Sequence, residues 1–290
     1  MSAPVTSEVL AAAVIVVVEV VSADLGPDVR AGSTTRHGPI EVEVEEVLKG
    51  RITAAPGERL GIEVDVRADV GIWSARTARA GLRLVAFCDG GSTDLRVLLE
   101  SDLRALVAAD DVLDDVRRVR SVQGRHLTAD KLLLEAEQER EVAGATFARY
   151  VWVAAREALR TSAERFDRLM RVAEDDRTRV DAQEAYLLAA YEDITFTGEF
   201  PTAHRARLVR AMVASALDPR LGELRGLLLG TYVPNLVSAA LPDPLAPDDV
   251  FGDAAGAALR AAVVTELDDP RDPATTSPAL SAWLATGGGR

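Results

Sequence analysis

The apolar side chains of this 290-residue chain change rhythm once, near position 100, and no other feature restricts the possible folds as much. Ahead of that point they recur at every second position. Ile40, Val42 and Val44 alternate with Glu41, Glu43 and Glu45, and Ile62, Val64 and Val66 alternate with Glu63, Asp65 and Arg67. A period of two sends successive side chains to opposite faces of a strand, so one face meets a core and the other meets water. The alternation returns more weakly at Leu82, Leu84 and Ala86 against Arg83, Val85 and Phe87, and a short fifth strand is expected from Leu95 to Leu99. The β-branched run Val14 to Val21 suits a strand covered on both faces. Turn residues at Lys49-Gly50, Pro56-Gly57, Gly81 and Asp89-Gly90-Gly91 separate the runs at hairpin spacing. These strands predict a small antiparallel barrel or sandwich.

After Glu100 the spacing becomes three and four. Ser101 is a suitable N-cap for a helix carrying Leu103, Leu106, Val107, Leu113 and Val116 to about Val122, where Gly124 breaks the run. Thr128 caps a helix through Val142. Phe147, Tyr150, Val151, Ala154 and Ala158 form the stripe of another, and Leu187, Leu188, Tyr191 and Ile194 that of a later one. Thr202 after Pro201 opens a helix through Leu217, ended by Asp218-Pro219. A short helix from Leu221 to Gly230 precedes one starting near Pro234. Val250, Phe251, Ala254, Ala258, Ala262 and Val263 make a further helix, and Ser277-Pro278 starts a last one carrying Leu280, Trp283 and Leu284. The helices read as a bundle or as a short array of divergent hairpins.

The length favours two domains, and 48% hydrophobic residues supply real cores. A net charge of −13 opposes a polyphosphate partner, so nucleic acid is disfavoured. Arg117, Arg118, Arg120 and Arg125 crowd together, but aspartates lie within pairing distance along the same helix. With one cysteine, Cys88, no intramolecular disulfide forms, and a buried, inert thiol in a reducing compartment is expected. The apolar run Ala11 to Val21 is shorter than the roughly 20 residues of a membrane span and contains Glu19. No membrane span and a cytoplasmic location are expected.

The first 100 residues resemble the OB-type barrel of the tissue-inhibitor-of-metalloproteinase and netrin-like family, especially its bacterial members. The resemblance rests on Ala13 to Val21 as a first strand, Val42 to Gly50 as a second ending in Leu48-Lys49-Gly50, and Gly81 to Phe87 as a later strand after a glycine. It implies an OB-like barrel serving as a binding platform. The N-terminal cysteine that in the family's inhibitors approaches the protease metal has no counterpart here, so protease inhibition is not implied. The resulting reading is an α+β chain: an OB-like β-barrel over 1–100, a connecting helix over 101–126, and a helical domain over 127–290.

Catalytic constellations are sparse. His37, His126 and His204 are far apart in sequence, lie near expected loops or helix starts, and read as surface histidines. Gly90-Gly91-Ser92 is only a turn, and neither Lys49 nor Lys131 follows a phosphate-cradling glycine spacing. Asp110, Asp111, Asp114 and Asp115 are the one group with a chemical alternative. Pairs one helical turn apart could hold a hard cation, whereas Arg117 and Arg118 placed after them favour plain ion pairs. Glu174-Asp175-Asp176 before Arg177 and Arg179 reads as a solvated turn between helices. Trp152, beside the stripe of its helix, is either edge-of-core packing or an aromatic partner contact. No cofactor is expected. The reading is a non-enzymatic protein-binding or scaffold protein that contacts another protein or itself. The alternative is a metal-dependent enzyme or metal-binding module built on the four aspartates.

Overall fold

The computed structural model describes residues 5–23, 26–27, 35–67, 80–89, 96–97, 106–238, 243–267 and 277–286. Ser101, Leu103, Trp73 and the ends of the expected fifth strand lie outside the described residues. The chain divides into two units, Met1–His126 and Leu127–Arg290.

The first unit is a largely antiparallel sheet with a helix before it and one after it. Helix α1 (Thr6–Ala11) precedes β1 (Val14–Ala23), and β2 (Gly26–Pro27), β3 (Thr35–Lys49), β4 (Arg59–Arg67), β5 (Arg83–Asp89), β6 (Arg96–Val97) and β7 (Leu106–Ala108) follow. β1 pairs with β3 along one edge and with β5 along the other, β3 with β4, and β5 with both β6 and β7. β4 and β6 meet in parallel through Glu63 and Arg96. The predicted alternation on β3 holds: Ile40, Val42 and Val44 are buried while Glu43 is exposed.

Both faces of the central strands are covered. Val14, Val16, Val18 and Val20 join Ile40, Val42, Ile62, Leu84, Ala86, Cys88 and Leu106 in one core. Ile15, Val17, Val85 and Phe87 point to the opposite face by alternation and are equally buried. Helix α2 (Ala109–Gly124) packs against β3, β5 and β7. β5 therefore departs from the expected one-faced pattern, with Leu84 to Cys88 all buried. Arg117 bonds to Glu46, and Arg120 Nε donates to the Leu48 carbonyl at 3.3 Å. The segment expected as a connecting helix is thus part of the first unit.

The change of rhythm falls later than the spacing suggested. Leu106 and Val107, expected in a helix, form β7, because Leu84 to Ala86 offer an edge that Leu106 to Ala108 complete. The turn after α2 holds His126 at φ 49°, a left-handed conformation that histidine tolerates better than most residues.

The second unit is helical. α3 (Ala129–Glu139), α4 (Ala145–Thr161), α5 (Ala163–Glu174), α6 (Val180–Thr197) and α7 (Thr202–Ala216) follow one another, with α3 against α5, α5 against α7, and α4 along α6. Arg–carboxylate pairs lace the odd-numbered helices. Arg165 meets Asp130 at 2.7 Å, Arg168 meets Glu137 at 2.7 Å, and Arg207 bridges Asp167 and Glu174 at 2.6 Å each.

The helices expected to end at Gly230 and to begin at Pro234 are one run. α8 (Gly222–Leu227) passes through a π-turn over Leu228–Tyr232 into α9 (Val233–Val237). Pro234 has no N–H to give an α-helical bond, and the widened turn, with Val233 N–H donating to the Leu228 carbonyl, absorbs that loss. Conversely, the helix expected over Val250 to Val263 is broken into α10 (Pro247–Phe251) and α11 (Ala254–Leu267). Ala254, Ala258 and Ala262 are exposed. A Cβ at Gly252 would lie 2.5 Å from the Asp248 carbonyl oxygen, and Asp253 accepts from Gly256 N–H at 2.6 Å. α12 (Pro278–Ala285) starts as expected, with Ser277 Oγ accepting from Leu280 N–H at 3.3 Å.

Candidate functional site

The three aspartates whose side chains are described, Asp110, Asp114 and Asp115, do not converge. All lie on α2, but Asp110 and Asp114 are exposed while Asp115 is buried and pairs with Arg118 at 3.6 Å. Asp114 meets Arg117 at 3.7 Å, and the Asp111 side chain lies outside the described residues. Among the described residues no three His, Cys, Asp or Glu side chains form a metal-binding group.

The histidines separate. His126 is exposed at the end of α2, and the His37 side chain lies outside the described residues. His204, expected at the surface, is buried: its Nε2 lies 3.0 Å from the Leu159 carbonyl and its ring sits 4.5 Å from Phe166. Burial lowers its pKa, against hydrogen bonding of the ring to the backbone of Leu159 and Ser162, so the neutral ring is favoured. Cys88 is fully buried, and burial pushes its thiol up to about 12.

Trp152 is a core residue, 1% exposed. Its indole stacks 6.0 Å from Phe200, meets Phe166 edge-on at 6.1 Å, and donates its Nε1–H to Asp193 at 2.6 Å. The partner-contact role considered for it has no exposed ring to act through. The reason is that the buried face of α4 is wider than the spacing implied, since α3, α5 and α6 all pack on this helix. Ala154 is exposed, while Ala148, Trp152 and Ala155 are buried.

Each of α4 and α6 also leaves a large apolar side chain exposed. Phe196 is 78% exposed and Val153 is 45% exposed. Arg149 on α4 bonds to Glu192 on α6, and further along Arg156 meets Asp193 at 2.9 Å and Glu199 at 3.8 Å. These pairs show that the two helices run in the same direction. Val153 lies four residues after Arg149 and three before Arg156; Phe196 lies four after Glu192 and three before Glu199. Val153 thus lies within one turn of both arginines on α4, and Phe196 within one turn of Glu192 on α6, whereas Glu199 follows the left-handed Gly198 that ends the helix. No family model, curated protein or solved structure matches this chain. The α4–α6 seam must be read from its own chemistry.

Isolated exposed apolar residues are ordinary, but a phenylalanine left largely in solvent on a helix otherwise well buried is less so. α4 contributes Arg149 and Arg156 to the seam, and α6 with the residue after its cap contributes Glu192, Asp193 and Glu199. One side of the seam is thus basic and the other acidic. The stripe expected on α6 was Leu187, Leu188, Tyr191 and Ile194, of which Leu188 is only half-buried, and a phenylalanine off that stripe, two residues before the helix-ending Gly198, was the available signal for this surface.

Proposed function

We propose that this chain is a non-enzymatic protein-binding or scaffold protein that docks through the α4–α6 seam. The observation carrying this reading is Phe196, 78% exposed on α6, on a helix that ion pairs join to α4 through Glu192 and Asp193. A surface that fits it must bring an apolar strip flanked by acid on one side and base on the other. A second copy of the chain brings that surface. A two-fold axis parallel to the helices sets the arginines of α4 against the carboxylates of α6 in the other copy, and Phe196 against its Val153. The occupant we propose is therefore a second copy.

The first unit belongs to the same reading as a platform. Its pairings pass from β1 to β3, β4, β6 and β5 and back to β1, a circuit that supports an OB-like barrel and the resemblance to the netrin-like family. The circuit depends on the Glu63–Arg96 bridge between β4 and β6. Among the described residues no helix is long and apolar enough to cross a membrane. A lone buried thiol is compatible with a reducing, cytoplasmic setting.

Light scattering coupled to size exclusion tests the proposal. The full chain should show a concentration-dependent dimer that Phe196→Asp abolishes without changing the circular dichroism spectrum. A wild-type chain that stays monomeric at high concentration, or a dimer indifferent to Phe196→Asp, overturns it.

A further inference from the structure

Arg205 is the fourth residue of α7, 9% exposed, and its Nε and Nη2 are buried with no hydrogen-bond partner. Arg140 and Arg156 also carry a buried Nε without a hydrogen bond, but each is ion-paired, Arg140 with Asp175 at 3.0 Å and Arg156 with Asp193 at 2.9 Å. Arg207, two positions along, is matched by two carboxylates. Among the described residues the one carboxylate that acts on Arg205 through space, Asp243, is exposed and makes no hydrogen bond to it.

A buried guanidinium without an acceptor is costly, because its lost hydration is not replaced. Its place in the helix adds to the cost. α7 begins after Pro201 with no side-chain cap, and helical side chains lean toward the N-terminus, which carries Arg205 back over its own first turn. That turn is the positive pole of the helix, where amides of Thr202 and Ala203 precede the first intrahelical bonds and an anion is favoured. Burial also lowers the pKa of Arg205, against the opposing effect of Asp243, which marks the charged form as under-compensated. Nε and Nη2 form the edge of a guanidinium that holds two oxygens of one planar or tetrahedral oxyanion.

We infer that Arg205 and the first turn of α7 form a binding site for a single oxyanion group, carboxylate or phosphate. Thermal unfolding of the full chain in increasing inorganic phosphate or acetate, with ionic strength held constant by sodium chloride, tests this. The midpoint of the wild-type chain should rise with at least one of the two anions, and which one identifies the source. Arg205→Met should weaken the apparent affinity by at least about tenfold, the loss of a charge-assisted bidentate contact. Without added anion, Arg205→Met should unfold at or above the wild-type midpoint, because it removes an uncompensated charge. Asp243→Asn should bind the anion more tightly, since it removes a nearby negative charge. Equal shifts in wild type and Arg205→Met, no shift with either anion, or an Arg205→Met chain less stable than wild type in chloride alone would each overturn the site.

Discussion

Gly50 is the position at which a single methyl group should do most damage to the first unit. Its φ is +79°, and a Cβ built there would fall 2.6 Å from the Ala13 carbonyl oxygen and 2.9 Å from Val14 Cγ2. The end of β3 passes under the entry to β1 at this point, and Lys49 Nζ donates to the Val9 and Leu10 carbonyls beside it. Gly57 and Gly81 provide internal controls, with φ of +87° and +81° and nothing within 4 Å of an added Cβ. A left-handed φ costs a residue with a Cβ roughly 1–2 kcal/mol. The stiffer unfolded chain returns about 0.4–1 kcal/mol. Gly57→Ala and Gly81→Ala should therefore each cost about 0.5–1 kcal/mol. Gly50→Ala carries the same conformational cost and must also displace backbone, which adds about 1–3 kcal/mol. Cys88 reports the difference, because it is fully buried in the same unit and reacts only on opening. Where reclosing outpaces labelling, the rate of thiol labelling follows the open population. Gly50→Ala should then label roughly 5- to 150-fold faster than either control. Equal labelling rates in all three variants would refute the close approach of β3 to the Ala13 carbonyl.

Two further outcomes follow from the ion pairs of the second unit. Arg207→Met should cost about 2–3 kcal/mol, at or just below the roughly 3–5 kcal/mol for breaking a fully buried pair, because Asp167 and Glu174 keep some water access. Arg207→Lys should recover only part of that loss, having no planar fork to match both carboxylates, and urea midpoints of the three chains check the order. Asp175 is held at about 2, below the usual carboxylate value, chiefly by hydrogen bonds from Arg177 working against burial. A carboxyl depressed on folding adds stability above its unfolded pKa, and that stability is lost as pH falls toward the folded value. Asp175→Asn should therefore be less stable than wild type at neutral pH by no more than about 1 kcal/mol after solvent screening, and equal to it near pH 2. A difference that persists unchanged to pH 2 would contradict the pairing with Arg177.

Strand rhythm was legible wherever one face meets water. Ile40, Val42 and Val44 reveal β3 because Glu43 must stay wet, and Ser277-Pro278 reveals α12 because its cap is local. Where both faces are covered, the signal weakens, as on β5 from Leu84 to Cys88. Leu106 and Val107 suit either period, and only the edge of β5, some twenty residues upstream, decides for a strand. His204 was misplaced, and Trp152 left open between core and contact surface, for a related reason: their burial depends on Phe166, Phe200 and Asp193, which no spacing within one helix discloses. The seam between α4 and α6 was equally hidden, since Arg149 and Glu192 are 43 positions apart. The aspartates of α2 were visible as a cluster, but the helix turns Asp115 inward to Arg118 and leaves Asp114 in water.

β1 is occupied on both edges, by β3 and by β5. During translation it leaves the ribosome before either neighbour exists, so Val14 to Val18 must wait for about seventy later residues before its second edge is covered. Over that interval a valine-rich segment of high β-propensity is sticky, and slow elongation or a truncated product should favour inclusion bodies over native folding.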